Sequence, residues 1–250
     1  MPAAEVALDP PGGLRILPVN GLGEIRPGDD VASLLVAALA PARAGAPALH
    51  AGDVVVVTQK IVSKAEGRLV TIDPDDPAAK SALVESESLR ILRRRGDLLI
   101  TETRHGFICA NAGVDLSNVD AGTAALLPVD PDRSARRLRA DLGRALGVEV
   151  GVIISDTFGR TWRRGVTDVA IGCAGVAAVI DLRGNLDATG RELLVTEVCV
   201  ADELASAAEL VMGKDRSVPV AIVRGVPEDW LRGGSVVGEI VRTSADDLFR

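Results

Sequence analysis

Tyrosine is absent from this 250-residue chain, and the only other aromatic carbocycles are two tryptophans and three phenylalanines. Apolar residues still make up 47% and mean hydropathy is +0.25. A nearly all-aliphatic apolar load, with few rings to fill one large core, predicts that part of it is buried between copies in a two-fold homodimer. Cysteine is scarce too. Cys109, Cys173 and Cys199 are odd in number, far apart, and form no CxxC or CxxH pair. That excludes a disulfide framework and a zinc site, makes a reducing cytoplasm the expected location, and leaves all three as small core residues. No apolar run reaches the ~18 residues of a membrane span. Neither a GxGxxG turn after a strand nor a GxxxxGK[ST] loop occurs, so the two standard nucleotide loops are missing. There is no repeat and no low-complexity tract. With 35 acidic against 28 basic side chains, net charge is −7, which argues against nucleic acid or an anionic membrane as partner. Residues 1–13, rich in Ala and Pro and without a charged start or apolar centre, read as a loose, disordered tail rather than a signal peptide.

What is present is ordinary globular composition, sized for one large domain or two small ones. Asp29 and Asp30 precede a stripe of Val31, Leu34, Leu35 and Ala38, which predicts a capped amphipathic helix. Val84, Ser88, Ile91 and Leu92 predict a second helix, stopped by Gly96. Asp130-Pro131 opens a third through Ala135, Leu138, Leu142 and Ala145, closed by Gly147. Val200, Leu204, Ala207 and Val211 form a fourth, ending at Gly213. Strands are expected at Leu14–Leu17, Val54–Val57, Leu98–Thr101, Val150–Ile154, Leu193–Val200 and Val218–Val223. The continuous apolar runs at 54–57 and 150–154 should be buried on both faces. Asp73–Pro77 reads as a turn or subdomain joint, and the polar, Gly-rich stretch Asp181–Arg191 as a hairpin or lid.

Three stretches carry chemistry. In the first, the strand at 150–154 runs into Ser155, Asp156 and Thr157, then Gly159, Arg160, Arg163 and Arg164. Carboxylate and hydroxyl oxygens suit a hard divalent cation, and guanidinium groups bind phosphate or carboxylate bidentately. The plainer reading is a strand followed by a helix with Asp156 or Thr157 as N-cap. In the second, the strand at 54–57 ends in Thr58 and Gln59, followed by Lys60 and Lys64, which share a face if a helix begins there. Such a lysine can neutralise phosphate; the alternative is a solvated charge. The third, Arg104 to Asn118, gathers His105, Asn111, Asp115 and Asn118 in a glycine-punctuated loop. Asn111-Ala-Gly113 also reads as a turn, and Asp115 as the head of a helix cap. His105 and His50 are expected to be structural hydrogen bonders. Together the loops suggest one composite pocket for phosphoryl transfer, in which positioning and charge neutralisation do most of the catalysis.

Thr58–Arg68, His105–Asn118, Ser155–Arg160 and Ala201–Lys214 together resemble the coenzyme F-420-0:L-glutamate ligase family of gamma-glutamyl ligases, in order and at family spacing from about Leu14 to the C-terminus. Four long motifs in register are far more specific than any one. The likeness is to the N-terminal ligase half of two-domain relatives in actinobacteria, whose C-terminal flavin-binding, nitroreductase-like domain would begin about where this chain ends, at Asp246–Arg250. The resemblance implies an α+β fold over 14–250, with two subdomains and mixed or antiparallel sheets, in an intertwined homodimer. It implies a ligase using GTP and Mg²⁺ or Mn²⁺, often with K⁺, to add L-glutamate to the F-420-0 precursor through an acyl phosphate. Asp115 and Asp156 then match metal ligands, joined by Thr157. Leu22, Gly23, Glu24, Ile25, Lys64 and Asn118 match GTP-contacting positions, and Met212, Gly213 and Lys214 lie in a loop near the nucleotide. Gln59 stands where serine is common in the family, and its amide can still donate to a phosphate. Asp115, Asp156 and Lys64 are the implied catalytic groups, and a separate flavin-dependent reductase is an implied partner. The rival readings are another metal-dependent phosphoryl-transfer or amide-forming enzyme with a different acceptor, and a nucleotide-binding module without turnover.

Overall fold

A computed structural model describes residues 13–43, 45–73, 76–243 and 245–249. The tail expected over 1–13 thus lies, apart from Gly13, outside the described residues, as does the middle of the 73–77 turn. The described strands are β1 (Arg15–Pro18), β2 (Val54–Thr58), β3 (Leu69–Thr71), β4 (Ser88–Arg95), β5 (Leu98–Thr103), β6 (Ile108–Ala110), β7 (Thr123–Ala125), β8 (Gly151–Arg160), β9 (Arg163–Ala174), β10 (Ile180–Asp181), β11 (Glu197–Val198) and β12 (Val220–Arg224). The helices are α1 (Val31–Ala38), α2 (Gln59–Ala65), α3 (Pro77–Glu87), α4 (Pro131–Leu146), α5 (Val200–Met212) and α6 (Val236–Glu239). The result is a mixed α+β fold. Among the described residues no helix is long and apolar enough to cross a membrane.

The main sheet has the order β1-β12-β2-β8-β9. Only β2 and β8 run parallel, with Val54 opposite Gly151 and Thr58 opposite Ser155. Val54, Val55, Val56 and Val57 are 0–1% exposed. Successive strand residues face opposite ways, so both faces of this strand are covered, as its unbroken apolar run requires. Helices α4 and α5 pack against the sheet, and α1 packs on α4. A smaller antiparallel sheet, β4-β5-β6, and the β3-β7 pair lie to one side, around a separate apolar cluster of Val84, Leu99, Ala112, Val114, Ala124 and Leu126.

Local chemistry accounts for most element ends. The Asp30 carboxylate accepts from the amides of Ala32 and Ser33 and caps α1. Asp130 accepts from Arg133 N at the start of α4, Pro131 occupies the first turn, and Gly147 closes the helix at φ 69°. Three expectations are corrected. The stripe at 84–92 is helical only to Glu87. Ser88–Arg95 is β4, because antiparallel pairing with β5, reinforced by Arg90 to Glu102, outweighs the local 3.6-residue period. The strand expected at 193–200 shrinks to Glu197–Val198, and Val200 opens α5. The strand expected to end at Ile154 continues to Arg160 and turns back as β9, so Asp156 and Thr157 are strand residues, not helix caps. The stretch 181–191 is hairpin-like, with β10 paired to β11 and Leu186 bridged to Glu192.

The first turn of α4 is clamped to the sheet at one point. Asp132, 4% exposed, accepts from Cys173 N at 2.8 Å, Val236 N at 3.0 Å and Ser235 Oγ at 2.7 Å. The approach is possible only because residue 172 has no side chain: a Cβ there would lie 2.3 Å from the Pro131 carbonyl carbon. Gly172→Ala should therefore lower stability by about 1–3 kcal/mol, the usual cost of overpacking, measured as a shift in the urea unfolding midpoint with unchanged slope.

Candidate active site

Because β2 and β8 are parallel and in register, their C-terminal ends open on the same edge of the sheet. A cleft of about 1020 Å³ lies there. From β2 it receives Gln59, Lys60 and Lys64 on the first turns of α2, and from β8 Ser155, Asp156 and Thr157. The connection between β6 and β7 contributes Asp115 and Asn118, the loop before α1 contributes Leu22 to Ile25, and the end of α5 contributes Gly213 and Lys214. Residues expected from separate parts of the chain to form one pocket are thus brought together. Met212 is the exception. It is 0% exposed and packs in the core, so its side chain ends α5 rather than lining the cleft. Arg160, Arg163 and Arg164 also stay outside, exposed at the β8–β9 turn. The cations facing the cleft are Lys60, Lys64 and Lys214.

Each charge has a defined setting. Lys64 is 8% exposed and forms an ion pair with Glu24, tying the 22–25 loop to α2. Lys60 Nζ lies 2.8 Å from Asp115 Oδ2 and donates to Ser117 Oγ at 2.8 Å, while Ser117 N donates to Asp115 Oδ1 at 2.7 Å. Burial pushes the Asp115 carboxyl up, but the hydrogen bonds from Lys60 and Ser117 outweigh it and hold the group below the usual carboxylate range. Asp115 heads this turn and a bridge to Ala125, not a helix. Asn118 takes a left-handed backbone, φ 52°, which a short polar side chain tolerates. Gln59, 2% exposed, accepts from Ser63 Oγ at 2.7 Å, which leaves its amide nitrogen as the group to meet an acceptor. His105 Nε2 lies 2.9 Å from the Pro128 carbonyl oxygen, a structural bond as expected.

Asp156 is the outlier. It has no ion pair among the described residues, and its carboxyl is pushed up to about 7, chiefly by burial and further by the charges of Asp115 and Asp168, against the Thr157 amide and Lys60. Asp168 was not singled out in the sequence. It is 1% exposed on β9, accepting from Thr157 Oγ1 at 2.7 Å and Ser155 Oγ at 3.3 Å. Lys214 Nζ binds it at 2.6 Å and Glu209 at 3.0 Å. The readable signal was a lone carboxylate inside the apolar run Val166–Ala174.

Among the described residues no three His, Cys, Asp or Glu side chains form a complete metal cage. The donors do fit a hard cation of the Mg²⁺ type, which takes one or two carboxylates and fills its other positions with water and phosphate oxygens. Asp115 and Asp156 are carboxylates of the cleft lining that would hold such an ion, and Thr157, whose hydroxyl donates to Asp168, follows Asp156 on β8.

The raised Asp156 pKa has a stability consequence without any ligand. The unfolded chain gives up this proton near pH 4 and the folded chain near pH 7. The group's contribution is therefore fully present below pH 4 and lost as pH rises through 7. Asp156→Asn should stabilise the metal-free protein at pH 8 by on the order of 1–3 kcal/mol and have little effect at pH 4, measured by urea unfolding in EDTA.

The family model described as "F420-0:Gamma-glutamyl ligase" matches residues 21–225. The chain is 43% identical, over 95% of its length and 99% of the relative's, to the coenzyme F420:L-glutamate ligase of Methanothermobacter thermautotrophicus. It is 44% identical to that of Methanopyrus kandleri, over 95% and 98%, and 37% identical to that of Archaeoglobus fulgidus, over 95% and 96%. With the motifs those likenesses span converging on one cleft, the chain belongs to the F420-0:gamma-glutamyl ligase family and is a ligase enzyme.

Proposed function

We propose that the protein joins L-glutamate to coenzyme F-420-0 through a gamma-glutamyl amide, using GTP and Mg²⁺ or Mn²⁺, with K⁺ as an accessory ion, in the reducing cytoplasm. The observation that carries this reading is the gathering of Lys60, Lys64 and Lys214 with Asp115, Asp156 and Asp168 in the lining of a single cleft large enough for a nucleotide and an acceptor. The names of the relatives supply the acceptor and the amino acid.

The chemistry needs two displacements. A terminal carboxylate oxygen of the precursor attacks the γ-phosphorus of GTP, and GDP leaves with the electron pair of the broken P–O bond. The amine of L-glutamate then attacks the acyl carbon of the resulting acyl phosphate, and phosphate leaves as the amine loses a proton. Two anions must meet in the first step. Lys64 supplies a point charge to the phosphates and, through Glu24, holds the 22–25 loop over the nucleotide. The Gln59 amide and the Asn118 side chain donate to the same ligand. Lys60 keeps Asp115 ionised, and Asp156 is the second anchoring carboxylate. A divalent ion at Asp115 and Asp156 supplies charge neutralisation on the phosphates. Loss of Asp156 charge removes that anchor while preserving shape.

Asp156→Asn should retain the fold yet lower turnover by ~100-fold or more, equivalent to about 3 kcal/mol of lost stabilisation. The measurement is mass spectrometry of F-420-0 incubated with GTP, Mn²⁺, glutamate and the purified protein. Wild-type protein should add glutamyl residues. No addition by wild type would remove the reading, and wild-type turnover by the variant would remove Asp156 from it.

The same reading includes a homodimer. Trp162, 83% exposed, and Val166, 61% exposed, stand on the β8–β9 hairpin next to the cleft residues of those strands. Burying them against a second copy would cover apolar surface otherwise left in water. Light scattering after size exclusion should give roughly twice 25.9 kDa, and Trp162→Glu should shift it towards the monomer. A wild-type monomer with full specific activity would overturn the dimer.

A further inference from the structure

Three arginines take no part in the cleft. Arg160, Arg163 and Arg164 stand at the tip of the β8–β9 hairpin, where residues 159–166 are all exposed. Lys60, Lys64 and Lys214 each hold a carboxylate. None of these three guanidinium groups meets one among the described residues, and Arg160 Nη2 donates instead to the Arg164 carbonyl oxygen at 2.9 Å. The register shift beside Arg160, with Gly165 at φ 84°, folds Arg164 back towards Arg160. In a chain of net charge −7, three like charges are thus gathered in one turn and left facing water.

The hairpin also continues the wall of the cleft. Thr157 and Asp168 line the cleft, as does Val166, which pairs with Gly159 just before the tip. A Cβ at Gly159 would meet nothing within 4 Å, so the strand presents bare, open backbone between the cleft and the arginines. Four residues of strand lead from Asp156 to Arg160, a span of ~13 Å. A ligand that reacts beside Asp156 and extends along the hairpin reaches the guanidinium groups within that length.

The proposed reaction makes such a ligand. Each addition consumes one carboxylate of the acceptor and brings in the two carboxylates of glutamate, so the product gains one negative charge per cycle. Because the linkage is gamma-glutamyl, the next cycle consumes the γ-carboxylate and leaves the α-carboxylate free. A growing tail is therefore a row of carboxylates leading away from the reacting end. We propose that Arg160, Arg163 and Arg164 bind the carboxylates of this tail, so that the hairpin holds an acceptor already extended once and favours the second and later additions. This rests on the reading of the protein as a gamma-glutamyl ligase. Guanidinium groups suit the task, because each binds a carboxylate through two parallel hydrogen bonds. The acceptor before its first extension carries no such row, so the arginines act on the later additions and not on the first.

The test follows the number of glutamyl residues on the acceptor against time, by mass spectrometry, with F-420-0, GTP, Mn²⁺ and glutamate. It compares wild-type protein with Arg160→Gln, Arg163→Gln, Arg164→Gln and the triple variant. Wild type should add a second glutamate. In the triple variant the rate of the second addition relative to the first should fall at least ~10-fold, as charge-assisted hydrogen bonds are lost, while the first addition and the KM for GTP keep their wild-type values. Added salt should lower the same ratio in wild type and leave it unchanged in the triple variant. Wild type that stops at one glutamate, a triple variant with the wild-type ratio, or equal slowing of both additions would overturn the inference and leave the proposed function standing. No addition by wild type would overturn the proposed function, and the inference with it. Light scattering and circular dichroism melts identify a variant that fails to assemble or fold. Should the triple variant fail, the single variants and the wild-type salt dependence decide the matter, and an unchanged ratio in all of them overturns the inference.

Discussion

The parallel pairing of β2 with β8 is the constraint on which the site depends. Thr58 stands opposite Ser155, so one strand delivers Gln59, Lys60 and Lys64 and the other Asp156 and Thr157 to the same edge. An antiparallel pair would send the two sets to opposite ends of the sheet. A slip of one residue would reverse the faces of every side chain on β8. Such slips are opposed by burial, because the valines of β2 and the aliphatic residues Val152 to Ile154 are covered on both sides. The apolar centre of the sheet therefore sets where the polar groups at its edge meet.

Charge is arranged around that edge in pairs, with one exception. Asp115 answers Lys60, Glu24 answers Lys64, and Asp168 and Glu209 answer Lys214. Asp156 has burial and two neighbouring carboxylates against it. A carboxyl kept near neutral pH in this way costs stability when it ionises, and such a cost is tolerated where a ligand's charge will offset it. The same residue thus costs the free protein stability as pH rises through about 7.

The rest of the fold holds these pairs in place. The Asp132 clamp and the bare backbone at Gly172 bring α4 against β9, so that Asp168, four residues earlier, is fixed in depth. On the same strand, Ala170 N donates to Asp202 of α5 at 2.9 Å, and Thr167 and Ser206 share a hydrogen bond of 2.9 Å. These contacts set the height at which α5 ends, and so where Lys214 can reach.

Local signals were readable directly. The caps at Asp30 and Asp130, the doubly buried runs at 54–57 and 150–154, and the Asp115, Asp156 and Lys64 motifs needed only short stretches of sequence, because capping, burial and family spacing act over a few residues. The chain as a sequence determined which groups carry charge and which strands are buried. Tertiary structure decided what they face. Only pairing with β5 turned Ser88–Arg95 from a helical stripe into a strand, only the long β8–β9 hairpin moved the arginines away from the cleft, and only the packing of α5 on β9 made Asp168, Glu209 and Lys214 one group. The reason is distance along the chain: 46 residues separate Lys214 from Asp168, and no local preference of either one refers to the other.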